Sequence, residues 1–179
     1  FQKDPNIIYV GTGESNAGGG SLTYDGLGVY KTTNAGASWE SVGLENVGSI
    51  GKVVVDPNDS RICYVAAMGE LFKNNPERGV YKTKDSGDTW EQVLSLSDST
   101  GAIDLAIHPV DGNIIYAAMW ERIRRPHNRS YGGITSGIYK SNDGGISWTE
   151  LTVGLPSTSA SKGRIGLAIA ESQPNILYA

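Results

Sequence analysis

The sequence predicts an all-β protein made of repeated four-stranded antiparallel sheets, and three observations predict it. A pentapeptide recurs as Gly28-Val29-Tyr30-Lys31-Thr32, Gly79-Val80-Tyr81-Lys82-Thr83 and Gly137-Ile138-Tyr139-Lys140-Ser141. Each copy leads through a turn to a tryptophan, Trp39, Trp90 or Trp148, so the period is about fifty residues, in the range of β-propeller blades. Glycine accounts for 24 of the 179 residues, roughly twice the usual share, which favours short elements joined by turns over long helices.

Within one period the apolar runs are short, rich in β-formers and bounded by Gly, Pro, Asn and Asp. In the middle repeat they place strand A at Lys52–Asp56, B at Ile62–Ala67, C at Gly79–Lys82 and D at Trp90–Leu94. The same pattern divides the chain into approximate repeats at residues 1–44 (strands B to D), 45–96, 97–155 and 156–179 (the start of another sheet). A second marker accompanies strand B: Asp4-Pro5-Asn6, Asp56-Pro57-Asn58, His108-Pro109 and Gln173-Pro174-Asn175 each precede an Ile-x-Tyr-type run. Four antiparallel strands at this period make a propeller blade, whereas the rival β-sandwich needs no such period. The reading is one partial β-propeller over residues 1–179, a segment of a longer chain or one whose ends other copies cover, because closed propellers use about four to eight blades.

The C–D turn carries the most specific signal. It reads Thr32-x-Asn34-x-Gly36-x-Ser38-Trp39, Thr83-x-Asp85-x-Gly87-x-Thr89-Trp90 and Ser141-x-Asp143-x-Gly145-x-Ser147-Trp148. An Asx or hydroxyl side chain accepts hydrogen bonds from the N–H groups of its own turn, and glycine supplies the positive φ of a tight hairpin. The tryptophan is then expected to anchor the returning strand in apolar surroundings. The motif is structural, with Asn34 serving as a neutral cap where the other copies have aspartate.

These residues resemble the Asp-box, or BNR repeat, of sialidases, xyloglucanase-like glycoside hydrolases and the sortilin/Vps10 propellers. The whole chain is similar to bacterial sortilin-like propellers labelled glycosyl-hydrolase-like, with further echoes in Tyr9-Val10-Gly11-Thr12-Gly13-Glu14, Glu77-Arg78-Gly79, Thr100-Gly101-Ala102-Ile103-Asp104-Leu105 and Gly163-Arg164-Ile165-Gly166-Leu167. The resemblance implies a propeller fold, an extracellular or periplasmic location and a glycan or polypeptide ligand. Xyloglucanase-like relatives imply a catalytic aspartate just after a Tyr-x-x-Thr strand end, but Gly13 or Glu14 stands there in this chain.

Composition narrows the function. Fifteen basic residues against 19 acidic ones provide no basic field for a phosphate backbone, so nucleic acid is not an expected partner. No apolar run approaches the ~20 residues of a membrane-spanning helix. His108, His127 and Cys63 have no second ligand at metal-site spacing, so no metal or cofactor is expected. Blade topology puts the A–B and C–D turns on one face and the longer B–C loops, with the D–A connections, on the other. Those B–C loops are Gly13–Leu27, Gly69–Arg78 and Trp120–Ser136.

Each B–C loop opens near a carboxylate, Glu14, Glu70 or Glu121. These are either strand-end caps or weak catalytic candidates for glycoside hydrolysis, which needs two carboxyl groups ~5–9.5 Å apart. The third loop concentrates Arg122, Arg124, Arg125 and Arg129 with His127, read either as a solvated or protein-contacting basic loop or as an anion clamp. Trp120, Tyr24 and Tyr131 are candidates for stacking on sugar or peptide. Lys52, Asp104 and Arg164 lie near first strands, where polar groups pair between blades or line the axis; Arg164 joins the ligand-binding candidates. The expected function is a non-catalytic binding scaffold, and the alternative is a glycoside hydrolase whose site is completed by further blades.

Overall fold

A computed structural model describes residues 1–16, 24–157 and 159–179. The first sheet holds β1 (Ile8–Gly11), β2 (Val29–Thr32) and β3 (Glu40–Ser41), and the second holds β4 (Ser49–Val55), β5 (Cys63–Gly69), β6 (Gly79–Thr83) and β7 (Glu91–Leu94). In the third sheet β8 (Thr100–Ile107) and β9 (Ile115–Glu121) pair in series with β12 (Gly137–Ser141) and β13 (Thr149–Leu151), while β10 (Ile123–Arg124) and β11 (Arg129–Ser130) form a separate hairpin. β14 (Ala168–Ile169) and β15 (Leu177–Tyr178) begin a fourth sheet. All these pairings are antiparallel, and the blades contact one another in chain order through β1–β4, β4–β8 and β8–β14. Among the described residues the sheets form an open arc of a β-propeller.

The core lies between blades. Val29, Val47 and Ile50 meet Cys63, Val65 and Ala67 at the first interface. Tyr64, Val80 and Leu94 meet Leu105, Ile115 and Met119 at the second. Nearer the long loops, Met68, Leu71, Ile103 and Trp120 pack with Ile165 and Leu167. β5 is buried at every residue because it has a blade on each side, which explains its unbroken Cys-Tyr-Val-Ala-Ala-Met run.

The C–D hairpins repeat one bonding pattern. Thr83 Oγ1 donates to Asp85 Oδ1 at 2.7 Å and accepts from Gly87 N at 2.9 Å, and Asp85 Oδ1 accepts from Thr89 N at 2.9 Å. Ser141, Asp143, Gly145 and Ser147 reproduce this set, as do Thr32, Asn34, Gly36 and Ser38. One bond reverses: the hydroxyls of Thr89 and Ser147 donate to Asp85 and Asp143, whereas Asn34 Nδ2 donates to Ser38 Oγ. The turn needs two successive left-handed residues, Ala35 and Gly36, Ser86 and Gly87, or Gly144 and Gly145. Those hydroxyl and N–H bonds hold the carboxyls of Asp85 and Asp143 down at about 2, the side-chain bonds from Thr89 and Ser147 being the largest cause.

Two expectations change. The indoles do not share one environment: Trp90 donates Nε1–H to Val42 O of the preceding blade at 2.7 Å and Trp148 packs against the second core cluster, but Trp39 is 43% exposed. A tryptophan in this hairpin is buried by the blade before it, and no described residue lies in that position for Trp39. The Asp-Pro-Asn markers are also not one position. Ile7, Ile62, Ile114 and Ile176 donate N–H to the carbonyls of Asp4, Asp59, Asp111 and Gln173, so Asp4-Pro5-Asn6 and Gln173-Pro174-Asn175 form the second half of the A–B turn. Asp56-Pro57-Asn58 and His108-Pro109 form its first half. There Asp56 Oδ1 caps Asn58 N and Asp59 N, and His108 Nδ1 caps Val110 N and Asp111 N.

Candidate ligand-binding face

The B–C loops share one face of the arc. Residues 17–23, which complete the first loop, lie outside the described residues, so the Gly-rich stretch from Ser15 to Ser21 is described only at Ser15 and Asn16. Backbone register shows that the three glutamates do not occupy one recurring position. Gly11, Ala66 and Ala118 pair with Val29, Val80 and Ile138 of the pentapeptides. Three residues further on stand Glu14, Gly69 and Glu121, and Glu70 falls one place later, beyond the end of β5 and its left-handed Gly69. Glycine is required at that place in the second blade, where φ is +76° and a Cβ would meet Arg78 Cγ at 2.4 Å.

Their carboxylates also differ. Glu121 Oε2 accepts from Thr135 N at 3.2 Å and from Thr135 Oγ1 at 2.6 Å, closing its own loop. Glu70 pairs with Lys73 Nζ at 2.8 Å. Glu14 is exposed, and its backbone N–H donates to Tyr24 O. Asp25, which sequence reading passed over, has its carboxyl raised above the usual range, by burial first and by the charge of Glu70 second.

The basic loop is not a solvated coil. β10 and β11 fold it back through Arg125–Asn128 and lay it on its neighbours, burying Arg122 to 1% and Arg124 to 7% exposure. Arg122 stands over the Trp120 ring at 4.7 Å and the Tyr131 ring at 5.7 Å, and donates to Ser15 O of the first loop at 3.0 Å. Trp120 Nε1 donates to Tyr131 O. Arg124 lies over Phe72 of the second loop at 5.2 Å, and Arg125 Nη2 donates to Asn74 Oδ1 at 2.9 Å. Arg129 and His127 stay exposed near the hairpin tip. Among the residues near first strands, Lys52 approaches Asp104 across a blade boundary at 3.9 Å, and Asp104 Oδ2 accepts from Leu167 N of the next sheet at 2.9 Å. Arg164 is exposed.

The organising residue is Arg78, fully buried beneath the loops. Its Nη1 donates to Ser99 O and Arg122 O, and its Nη2 to Glu70 O and Lys73 O, at 2.8–3.2 Å. Burial, its largest influence, brings the guanidinium down to about 10. A planar fork of donors is the one side chain able to serve four carbonyls from two blades at once. The sequence holds one trace of it: the residue before the pentapeptide is Arg78 in the middle repeat but Leu27 and Ser136 in the others. With Arg122 reaching Ser15, the three loops become one linked surface. It carries one exposed aromatic per loop, Tyr24, Phe72 and Tyr131, at 69%, 50% and 45% exposure. Tyr24 also borders a shallow cleft with Thr12, Glu14, Asp25 and Leu27.

An open arc of antiparallel four-stranded blades is a segment of a β-propeller. The family model for Sortilin-Vps10, described as sortilin, neurotensin receptor 3, matches residues 28–177, and the chain belongs to that family. It is 26% identical over 164 residues to a xyloglucanase of Paenibacillus sp, covering 82% of this chain and 15% of the relative. It is 31% identical over 88 residues to vacuolar protein sorting/targeting protein 10 of Fusarium vanettenii, covering 49% of this chain and 5% of the relative. The chain thus spans a small part of the curated relatives it matches. Among solved structures it resembles the GH74 xyloglucanase of Xanthomonas campestris (TM-score 0.64, 17% identity, 97% of this chain and 24% of that one). It also resembles the GH74 enzyme of Niastella koreensis (0.60, 19%, 97% and 23%) and an ancestral GH74 enzyme (0.62, 22%, 86% and 19%). At these identities the likeness shows the fold. No helix in the described residues is long and apolar enough to cross a membrane.

Proposed function

We propose that this chain is a non-catalytic binding scaffold of an Asp-box propeller, in an extracellular or periplasmic setting, presenting its B–C and D–A loops to a glycan or polypeptide. One observation carries the reading: each long loop exposes one aromatic ring, Tyr24, Phe72 or Tyr131, on a surface stiffened from beneath by Arg78 and Arg122. Aromatic faces held on a rigid scaffold suit stacking on sugar rings or extended peptide. The engagement of Glu121 with Thr135 and of Glu70 with Lys73 favours structural over catalytic use of those carboxylates. A glycoside hydrolase with an active site completed by further blades is the alternative, supported by the names of the xyloglucanase relatives.

Calorimetric titration with xyloglucan oligosaccharides and with a panel of extended peptides tests the proposal. A scaffold binds one class, loses about tenfold or more in affinity with Tyr24→Ala, Phe72→Ala or Tyr131→Ala, about 1.4 kcal/mol, and keeps binding in Glu14→Gln, Glu70→Gln and Glu121→Gln. Release of reducing ends that disappears in a Glu→Gln variant would move the assignment to the hydrolase.

A further inference from the structure

The third B–C loop carries a charge that no ion pair cancels. It lies across the second and third blades, each of which has a sheet on either side. Between Trp120 and Ser136 the chain places four arginines and a single carboxylate, Glu121, which is engaged by Thr135. In a chain of net charge −4 the excess is local. The ion pairs among the described residues are Lys52–Asp104, Arg61–Asp59, Lys73–Glu70 and Lys162–Glu150, so neither Arg125 nor Arg129 has a carboxylate within ion-pair reach. Both are nevertheless held in place. The turn closing β10 on β11 has two residues, Pro126 and His127, between the paired Arg125 and Asn128. Arg125 Nη2 donates to Asn74 Oδ1 at 2.9 Å, and Asn74 Nδ2 donates onward to Asp98 Oδ1 at 3.1 Å, which fixes the amide at both ends. Arg129 stands opposite Arg124 in the hairpin register and so shares its side of the hairpin. That side meets the second loop, where Arg124 lies over the half-exposed Phe72 ring at 5.2 Å.

We propose that the ligand of the scaffold read above is an anionic glycan, whose uronate carboxylates are received by Arg125 and Arg129 while a sugar ring lies on Phe72. The inference rests on the scaffold reading and narrows it. Two guanidiniums present forked donors matched to a carboxylate, and the ring beside them presents a flat apolar face. A neutral sugar would use the ring alone and leave both cations to water. An acidic peptide fits less well, because β10 and β11 have two residues each, too short an edge to receive an added strand. The hairpin is ordered before any ligand arrives, so little conformational freedom is lost on binding.

Calorimetric titration of the chain with tetragalacturonate, a neutral xyloglucan oligosaccharide and a poly-glutamate peptide of matched charge reads the outcome. Tetragalacturonate is expected to bind at least about tenfold more tightly than either of the others, with an affinity that falls as salt rises. Combining Arg125→Gln with Arg129→Gln should bring it down to the level of the neutral glycan, and Phe72→Leu should weaken both glycans. Arg61→Gln, on the opposite face and paired with Asp59, should change nothing, and unchanged melting profiles separate loss of binding from loss of fold. Equal binding of the charged and neutral glycans, or affinity for tetragalacturonate indifferent to the paired arginine exchange, overturns the proposal and leaves the scaffold standing. Equal or tighter binding of the peptide overturns it in favour of an acidic protein partner. Binding of neither glycan overturns it as well, and the scaffold reading then depends on the peptide panel alone.

Discussion

The two faces of the arc come from one repeat but are held together by different means. On the hairpin face the bonds that shape each turn span two to four residues, Thr83 to Asp85 and Gly87, or Asp143 to Ser147, and they recur in all three copies, while longer bonds such as Trp90 to Val42 and Tyr64 to Gly144 tie the turns to neighbouring blades. On the long-loop face the bonds that join one loop to another span 21, 44 and 107 residues, from Arg78 to Ser99, Arg78 to Arg122 and Arg122 to Ser15, and none of them recurs. A hairpin that satisfies itself can be copied wherever a blade needs one. A surface joined by unique long-range donors is free to vary in its exposed residues, which is how a repeat scaffold carries a specific site.

The strongest way to break this contrast is Arg78→Ala. It leaves four carbonyls without their shared donor and removes a buried cation, so a loss of about 3 kcal/mol or more is expected, read as a lower midpoint in urea. Arg78→Lys should recover only part, since an ammonium lacks the planar fork. A smaller effect tests the hairpin face: Trp90→Ala should cost about 2 kcal/mol and Trp39→Ala under about 1. Equal losses would mean that the hairpin itself, and not the neighbouring blade, gives the indole its worth. Smaller again, His108→Leu strips the acceptor from Val110 N and Asp111 N and should cost about 1 kcal/mol, while His108→Asp, copying Asp56, should be nearly neutral. The subtlest probe is acid. Asp85 and Asp143 titrate at about 2 in the folded chain but near ~3.9 when unfolded, so they favour folding above about pH 4 and lose that contribution as pH falls towards 2. Denaturant midpoints of an Asp85→Asn, Asp143→Asn double variant should therefore approach those of the parent chain as pH drops, because Asn34 already shows the neutral form of the same cap.

Particular residues show where sequence reading succeeded and where it stopped. The pentapeptide at Gly79 and the turn ending on Trp90 located strands to within one to three residues, because turn chemistry and alternation are local. The markers before strand B misled, since Asp4-Pro5-Asn6 and Asp56-Pro57-Asn58 look alike yet cap different halves of one turn. For Arg122 and Arg124 the sequence left open a solvated or protein-contacting loop and an anion clamp, because their contacts with Phe72 and the first loop are remote in sequence. Arg78 was marked only by its place in the family-like Glu77-Arg78-Gly79 run, which said nothing of the carbonyls it serves, and Phe72 carried no mark of its own.

The amino-acid order alone determined the blades, because each hairpin closes through bonds between near neighbours and each strand advertises its pattern over a few residues. Only tertiary structure decided which arginine lies buried and which glutamate closes its own loop. Those outcomes depend on how one blade's side chains meet the next blade's carbonyls and rings, and no short window of sequence contains both partners.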